Sequence, residues 1–278
     1  MLAIQVKLRL IFTFNQVYNK IMLGAIIGDI VGSRFEFNNT NKIDFELFTK
    51  DSNYTDDTIC TIAVADAILK NIPFAYSIQH WCRKYPHPMG GYGGSFGRWV
   101  FSDNPQPYNS FGNGSAMRVS PCSWISDDFH KVFRLAEESA KCTHDHPEGI
   151  KGAVAVADCI YKVRNGYSKQ KLKEYISCTY GYDLNQSCDE IRAKNSFNET
   201  CQVTVPQSII CYLESNSFEQ AIRLAVSIWG DSDTIGAITG SIAEAGYGIP
   251  KSMLATVDRL LPADMKNVIF EFNKKYKR

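Results

Sequence analysis

Two short acidic clusters, far apart in a chain of 278 residues, hold the side chains best suited to chemistry. One is Thr55-Asp56-Asp57, and the other consists of Asp231, Asp233 and Thr234. Aspartate and threonine are favoured helix N-caps, so either cluster taken alone is expected to be a cap. A cap uses one side-chain oxygen, however, and carboxylates held this close repel one another unless a cation compensates them. Together the clusters form an all-oxygen ligand set, which suits Mg²⁺, Mn²⁺ or Ca²⁺ and not zinc.

A second informative region is segment 86–121, which is rich in glycine, proline and aromatic residues. So many helix breakers exclude a long helix. A long irregular segment inside a compact domain is usually either functional or disordered. Its dense aromatic side chains argue against disorder, because that much apolar surface would bury itself. The segment is therefore a candidate functional loop.

The elements that must position these residues are helices. Thr55-Asp56-Asp57 precedes apolar residues at three- and four-residue spacing, which predicts a capped helix. Clear alternating strands are nearly absent after residue 22, so the predicted fold class is all-α. Dense glycine and alanine around 152–157 and 236–246 indicate close backbone approach in a compact multi-helix bundle. Further helices are predicted at about 129–142, 149–163, 169–177, 206–215, 218–229, 234–246 and 264–276.

The first 21 residues differ from the rest of the chain. Apolar residues from Ile4 to Phe14 alternate with polar ones, which is strand periodicity. Basic residues interrupt this stretch and no small-residue cleavage site follows, so a secretory signal is a poor match. Two interpretations stay open: an accessory edge strand, or translated upstream sequence before a natural start at Met22, which we favour. We therefore predict an extension at 1–21 and one domain at 22–278, since no linker or repeat divides the chain.

Composition narrows the functional classes. There are 30 lysine and arginine residues against 29 aspartate and glutamate residues, so no long-range field gathers polyanions. Nucleic acid is thus not expected as a partner, except as a modified substrate. Nine cysteines without a C-x-x-C pair predict reduced, buried thiols and no disulfide scaffold. Lysine or arginine interrupts every apolar run approaching about 18 residues, which predicts a soluble, cytoplasmic protein without a membrane partner. A monomer is expected.

Five motifs occur in a fixed order along the chain. They are Gly24–Glu36, Tyr54–Thr58, Phe111–Arg118, Thr143–Gly149 and Gly230–Thr234. From about residue 23 to 250 this series closely resembles the ADP-ribosylglycohydrolase family, and five motifs in order are far more specific than any one alone. The resemblance implies an all-α domain whose central cleft holds two magnesium ions, or sometimes manganese. It also implies cleavage of the bond between ADP-ribose and its acceptor, so that the partner is ADP-ribose or an ADP-ribosylated protein.

The resemblance implies roles for individual residues as well. Glu36 matches a family glutamate at the metal site that serves as ligand, gate or catalytic carboxylate. Glu36, Asp56 and Asp57 are the catalytic candidates. Asp29 would support Glu36 or the metal ligands by contacting them without itself binding the metal. The implied metal ligands are Thr55, Asp56, Asp57, Asp231, Asp233 and Thr234. The implied substrate-binding residues are Ser110, Phe111, Gly112, Asn113, Gly114 and His144.

The residue types in the third motif agree with phosphate binding. Gly112 and Gly114 let the chain approach a phosphate and point backbone N–H groups at it. Two alternatives stay open for each neighbour. Arg118 adds charge to that site or braces a carboxylate. Phe111 packs against the adenosine portion of the substrate or fills the core. His146 is expected to cap the helix that begins near Gly149.

Ribosyl bond cleavage passes through an oxocarbenium-like transition state, which needs a protonated leaving group and an activated water. We expect two metal ions to orient the ribose diol, with Glu36 or an aspartate of the first cluster as general base or acid. The alternatives are a non-catalytic ADP-ribose-binding module, a structural protein, and a two-metal phosphohydrolase of a nucleotide diphosphate. The acceptor, whether arginine, serine, another side chain or a nucleic-acid end, stays open. The polar segment 181–201 is expected to be irregular and to border the substrate mouth.

Overall fold

A computed structural model describes residues 21–277. The predicted N-terminal strand lies outside the described residues. Within them the protein is all-α as predicted, and its strand-like pairing consists of two isolated bridges, Thr55 with Met89 and Gly112 with Thr200. The helices are α1 (Leu23–Gly32), α2 (Asp56–Lys70), α3 (Phe74–Lys84), α4 (Gly94–Val100), α5 (Gly114–Met117), α6 (Phe129–Lys141), α7 (Pro147–Arg164), α8 (Lys169–Tyr180), α9 (Cys188–Lys194), α10 (Cys201–Glu214), α11 (Phe218–Ser227), α12 (Ser232–Tyr247), α13 (Lys251–Leu260) and α14 (Ala263–Tyr276), with 3₁₀ turns at Ser33–Phe35 and Ser120–Trp124.

The predicted helices are confirmed, and two differences have local causes. Helix α10 begins at Cys201, so Pro206 lies inside it, and the first-turn N–H of Cys201 donates to the carbonyl of Phe111 at 2.9 Å. Segment 181–201, predicted to be irregular, contains α9, because Ser187 and Glu190 form a reciprocal capping box at its start. None of the helices in residues 21–277 is both long and apolar enough to cross a bilayer.

Helix α12 lies at the centre of the bundle. Every residue from Ser232 to Glu244 is buried, although many of them are glycine, serine or threonine. The helix contacts α1, α7, α10 and α11. Short side chains on all faces allow these neighbours to approach closely, as the small-residue spacing predicts.

The closest approach in the bundle is between α1 and α12, which run antiparallel. A Cβ atom built on Gly28 would lie 1.9 Å from the carbonyl oxygen of Gly236, so no larger residue fits there. The end of α1 therefore lies directly against the start of α12, beside Asp231 and Asp233. The facing pairs are Gly24 with Gly240, Gly28 with Gly236, and Gly32 with Ser232.

The start of α1 is capped by a side chain of the same partner helix. Met22 occupies the N-cap position without a side-chain cap. Instead, the carboxylate of Glu244 on α12 accepts hydrogen bonds from the backbone N–H groups of Leu23 and Gly24, at 3.3 and 2.9 Å. Burial raises the pKa of Glu244 to about 8. Both ends of α1 are thus held by α12.

We predict that Gly28→Ala lowers the free energy of unfolding by about 3 kcal/mol or more, because the added methyl group overlaps backbone that cannot move alone. Denaturant unfolding measures the change. Gly97→Ala in α4 is the control, since its Cβ would lie 3.7 Å from that of Tyr92, an ordinary contact. The control should keep or slightly gain stability. Equal stability of the two variants would contradict the role given to the α1–α12 contact.

Candidate metal and substrate site

A cleft of about 400 Å³ opens where α1 ends and where α2 and α12 begin. It brings together most of the residues that the sequence singles out, although they come from distant parts of the chain. Of the predicted set, Thr55 and Phe111 do not line the cleft. The predicted residues that do line it are Glu36, Asp56, Asp57, Ser110, Gly112, Asn113, Gly114, His144, Asp231, Asp233 and Thr234.

The two acidic clusters meet in this cleft. The Thr234 hydroxyl donates to Oδ1 of Asp57 at 3.2 Å, across 177 positions of sequence. Glu36, Asp231 and Asp233 each offer one carboxylate oxygen, and these three atoms lie within 4.8 Å of one another. Glu36, a catalytic candidate from sequence, thus also belongs to the group that could hold a metal.

Burial and mutual repulsion make these carboxylates costly to ionise. Burial, reinforced by neighbouring carboxylates, raises the pKa of Asp56, Asp57 and Asp233 well above the usual value. Burial also raises the pKa of Glu36 to about 8, with Asp231 as the next cause. The cluster therefore stores unfavourable electrostatic energy that positive charge would relieve.

Arg118 is a cation that lines the same cleft, but it donates to the Ser139 carbonyl and the Thr143 hydroxyl and not to these carboxylates. Among residues 21–277, no lysine or arginine forms an ion pair with Glu36 or with any of these aspartates. Oδ2 of Asp57 is buried and has no hydrogen-bond partner. A buried, unpaired carboxylate oxygen in an all-oxygen donor set fits a hard divalent cation.

Asp29 positions the first cluster. Its carboxylate accepts the backbone N–H of Thr55 at 3.0 Å and the Thr55 hydroxyl at 2.8 Å. The backbone N–H and hydroxyl of Thr58 also donate to it. Thr55 in turn accepts the N–H of Asp57 at 3.2 Å and so caps α2. Thr55 is fully buried behind the cleft, and its predicted role as a metal ligand stays a prediction.

The loop from Ser110 to Gly114 lies across the acidic cluster. The side-chain amide of Asn113 donates to Asp231 at 2.6 Å, and its backbone N–H donates to the carbonyl of Glu199 at 2.7 Å. Gly112 and Gly114 face the His144 ring: Cβ atoms built on them would lie 3.5 and 3.2 Å from Nε2. Glycine thus keeps this wall of the cleft open beside the imidazole.

Phe111 lies neither in the core nor in the cleft. Its side chain is 45% exposed, and its ring packs edge-on against His146, with centroids 5.2 Å apart. Its role as a substrate contact stays a prediction, since its ring lies outside the cleft lining although Ser110 and Gly112 on either side line the cleft. His146 caps the following helix as expected, accepting the N–H of Glu148 at 3.1 Å on Nδ1, although α7 begins at Pro147.

Two parts of the site escaped the sequence reasoning. The first is the glycine-rich stretch from Gly90 to Gly94, which lines the cleft beside Glu36. A Cβ on Gly90 would lie 2.4 Å from Oε2 of Glu36, so the absence of a side chain at Gly90 leaves room for the Glu36 carboxylate. The repeated glycines of segment 86–121 were the available signal. The second is Glu199, which lines the cleft within the segment 181–201 that was expected to border the substrate mouth, although no pattern singles out this residue.

Comparison with known proteins defines the relationship. Residues 16–276 match the model of the ADP-ribosylglycohydrolase family. The ADP-ribosylhydrolase ARH3 of Homo sapiens is 24% identical over 306 residues, covering 82% of this chain and 84% of that protein. The ADP-ribosylarginine hydrolase Tri1 of Pseudomonas putida (strain GB-1) is 24% identical over 273 residues, covering 82% and 70%. A solved structure of an ADP-ribosylglycohydrolase-related protein complex has a TM-score of 0.70 at 22% identity, covering 92% of this chain and 96% of that chain.

The fold and the cleft thus define an all-α glycohydrolase enzyme. The chain belongs to the ADP-ribosylglycohydrolase family, since the family match spans nearly all of it. The relationship inferred from the five motifs is therefore confirmed, and the activity of the family is hydrolysis of ADP-ribose conjugates.

We predict that Mg²⁺ raises the melting temperature of the wild-type protein, because it relieves carboxylate repulsion in the folded state. A cation at 100 times its Kd would add about 2.7 kcal/mol. Asp233→Asn should melt no lower than wild type in chelator, since it removes one repelling charge and keeps Oδ1 as acceptor for the Thr234 N–H. The rise in melting temperature that Mg²⁺ gives Asp233→Asn should be smaller than the rise that it gives the wild type.

Glu138→Gln is the control for that comparison. It changes the same chemical group on the exposed face of α6, where Glu138 pairs with Arg134 at 3.8 Å. Scanning fluorimetry with and without chelator measures all three proteins. Two results would count against a cation site in the cleft. One is a wild-type melting temperature that Mg²⁺ does not raise, and the other is an equal rise in Asp233→Asn and Glu138→Gln.

Proposed function

We propose that this protein hydrolyses the glycosidic bond between ADP-ribose and an acceptor, with two divalent cations, Mg²⁺ or Mn²⁺, in the acidic cleft. The observation that carries this proposal is the meeting of Asp56 and Asp57 with Glu36, Asp231 and Asp233 beside a glycine-lined wall. Membership in the family supports the same reaction.

Different residues would bind the cations, bind the diphosphate and transfer the proton in such a reaction. The ions would be held by the two acidic clusters, with Thr234 and Thr55 as further oxygen donors, and would supply positive charge to the ribose hydroxyls and the attacking water. The glycine-lined loops at 90–94 and 110–114 would hold the diphosphate and the distal ribose. Glu36 and Asp56 are partly exposed, whereas Asp57, Asp231 and Asp233 are buried, so Glu36 and Asp56 can exchange protons with solvent.

We assign the proton transfer to Glu36, whose raised pKa the positive charge of bound cations would lower, so that its carboxylate can accept a proton. As water attacks the anomeric carbon, its oxygen forms the new bond and the bond to the acceptor breaks with its electron pair. One proton of the water passes to Glu36, and the leaving acceptor takes up a proton, so that free ADP-ribose and free acceptor result. An aspartate of the first cluster remains the alternative base.

The mouth beside Glu36 favours a cationic, planar acceptor. Phe37 lines the cleft yet is 74% exposed, and its ring centroid lies 6.0 Å from that of Phe197. Glu199 lines the same cleft, and no described lysine or arginine pairs with its carboxylate. A guanidinium stacks on aromatic faces and pairs with carboxylates. We therefore propose ADP-ribosylated arginine ahead of serine, which agrees with the name of the relative Tri1.

Asp56→Asn is expected to lose at least about a hundredfold in hydrolysis of ADP-ribosylated substrate with Mg²⁺. Circular dichroism checks folding, and Glu138→Gln serves as the active control. The product must be free ADP-ribose. AMP with ribose phosphate would instead indicate a phosphohydrolase, and tight ADP-ribose binding without turnover would indicate a binding module. A folded variant that hydrolyses at the wild-type rate in chelator would exclude the proposal.

Glu199→Gln tests the acceptor. It should lower kcat/KM about tenfold on ADP-ribosylarginine, where a charge-assisted contact is lost, and leave ADP-ribosylserine nearly unchanged. The substitution keeps the backbone carbonyl that holds Asn113, so the loop stays in place. Parallel assays of both substrates measure the ratio. If the two substrates lose activity equally, Glu199 does not select the acceptor.

A further inference from the structure

A short chain of buried polar groups ends at His144. Nη2 of Arg118 donates to the hydroxyl oxygen of Thr143 at 2.7 Å, and that oxygen lies 2.6 Å from Nδ1 of His144. Arg118 and Thr143 are fully buried, and His144 is nearly so. Arg118 also donates to the carbonyl of Ser139 at 2.8 Å, and among residues 21–277 it pairs with no carboxylate. Bracing a carboxylate, one of the two roles considered for it, is therefore not what it does here.

The direction of each hydrogen bond follows from the groups involved. A guanidinium only donates, so Arg118 occupies a lone pair of the Thr143 oxygen. The hydroxyl has one proton, and Nδ1 of His144 is the strong acceptor within reach. The Cys142 sulfur competes for that proton, but sulfur accepts weakly, and this thiol itself donates to the Ser139 carbonyl. When the hydroxyl donates to Nδ1, the imidazole proton must lie on Nε2.

The opposite edge of the ring faces the cleft. His144 lines it, and Nε2 lies beside Gly112 and Gly114, which carry no side chain. Burial, followed by the charge of Arg118, lowers the pKa of His144 well below its usual value, so the ring stays neutral. A neutral ring of this tautomer presents one N–H donor to the cleft and cannot act as an acceptor there.

We propose that Thr143, held in place by Arg118, is a positioning residue that fixes His144 as the Nε2–H tautomer, so that His144 donates a hydrogen bond to an oxygen of the bound substrate. The oxygen belongs to the phosphate or distal ribose of ADP-ribose, and that part of the inference rests on the proposed function. The tautomer itself does not depend on it.

Nitrogen-15 NMR of histidine-labelled full-length protein reads the tautomer directly. In the wild type, Nδ1 of His144 should resonate in the unprotonated range and Nε2 in the protonated range, and added ADP-ribose should shift Nε2. A proton on Nδ1 in the wild type would overturn the proposal, and no variant needs to fold for this result. ADP-ribose that binds by calorimetry without shifting Nε2 would overturn the substrate contact.

Thr143→Val removes the hydroxyl at nearly constant volume. The His144 tautomers should then mix, and KM or the Kd for ADP-ribose should rise about five- to tenfold with little change in kcat. Thr143→Ser should restore both. Thr239→Val on α12 is the matched control, because it removes a buried hydroxyl that donates to the Ser208 carbonyl at 3.0 Å. It should leave the His144 signals unchanged.

The outcomes separate the two proposals. Thr143→Val with wild-type His144 signals, or a Thr143→Ser variant that fails to restore them, would overturn the positioning role. If no variant and no wild-type sample hydrolyses any substrate, while ADP-ribose still shifts Nε2 in the wild type, the proposed reaction fails and the role of Thr143 is supported.

Discussion

The direct backbone contact between α1 and α12 is the constraint on which the rest of the molecule depends. Because Gly28 and Gly236 leave no room for a side chain, the two helices meet at a distance that other residue pairs cannot reach. The contact brings the turn that carries Glu36 against the start of α12, where Asp231 and Asp233 lie. The acidic cleft is thus a consequence of how two small-residue helices pack.

That geometry concentrates negative charge where it is unfavourable. The pKa of each buried aspartate rises because water is excluded and like charges are near. Asp29 is one of these like charges, and the four donors that it receives from Thr55 and Thr58 stabilise its own carboxylate and order the start of α2. This unfavourable repulsion would favour a hard divalent cation in the cleft, since such an ion gains most where several anionic oxygens lie close together.

Around this acidic centre the cleft is built from segments of different character. Glycine-rich turns form one wall, and the neutral His144 ring adds a donor that needs no counter-charge. Phe37, Phe197 and Glu199 form the mouth. In the function proposed above, the glycine-rich turns would take the diphosphate of the substrate, and the carboxylates with their cations would lie at the scissile ribosyl bond.

Much of this could be predicted from sequence where a local pattern has a local cause. The apolar stripe after Thr55-Asp56-Asp57 predicts α2 because capping and helix periodicity act within a few residues. Helix α9 in segment 181–201 was not predicted, because a helix of seven residues leaves little periodicity to detect. The capping box of Ser187 and Glu190 holds its start. The helix predicted at about 206–215 begins earlier in the structure, at Cys201, where the backbone N–H donates to the carbonyl of Phe111, a contact between distant segments.

What the sequence by itself determined is the set of helices, the glycine positions that demand close packing, and the acids and loops whose order matches the family. What only the tertiary structure decided is which of these side chains meet. Glu36 lies with Asp231 and Asp233, and Thr55 lies behind the cleft, hydrogen-bonded to Asp29. Phe111 lies outside the cleft, whereas Glu199 and Gly90 line it. The physical reason is that hydrogen-bonded helices form from neighbours in sequence, whereas burial, repulsion and hydrogen bonding between distant segments depend on distances that exist only after the helices have packed.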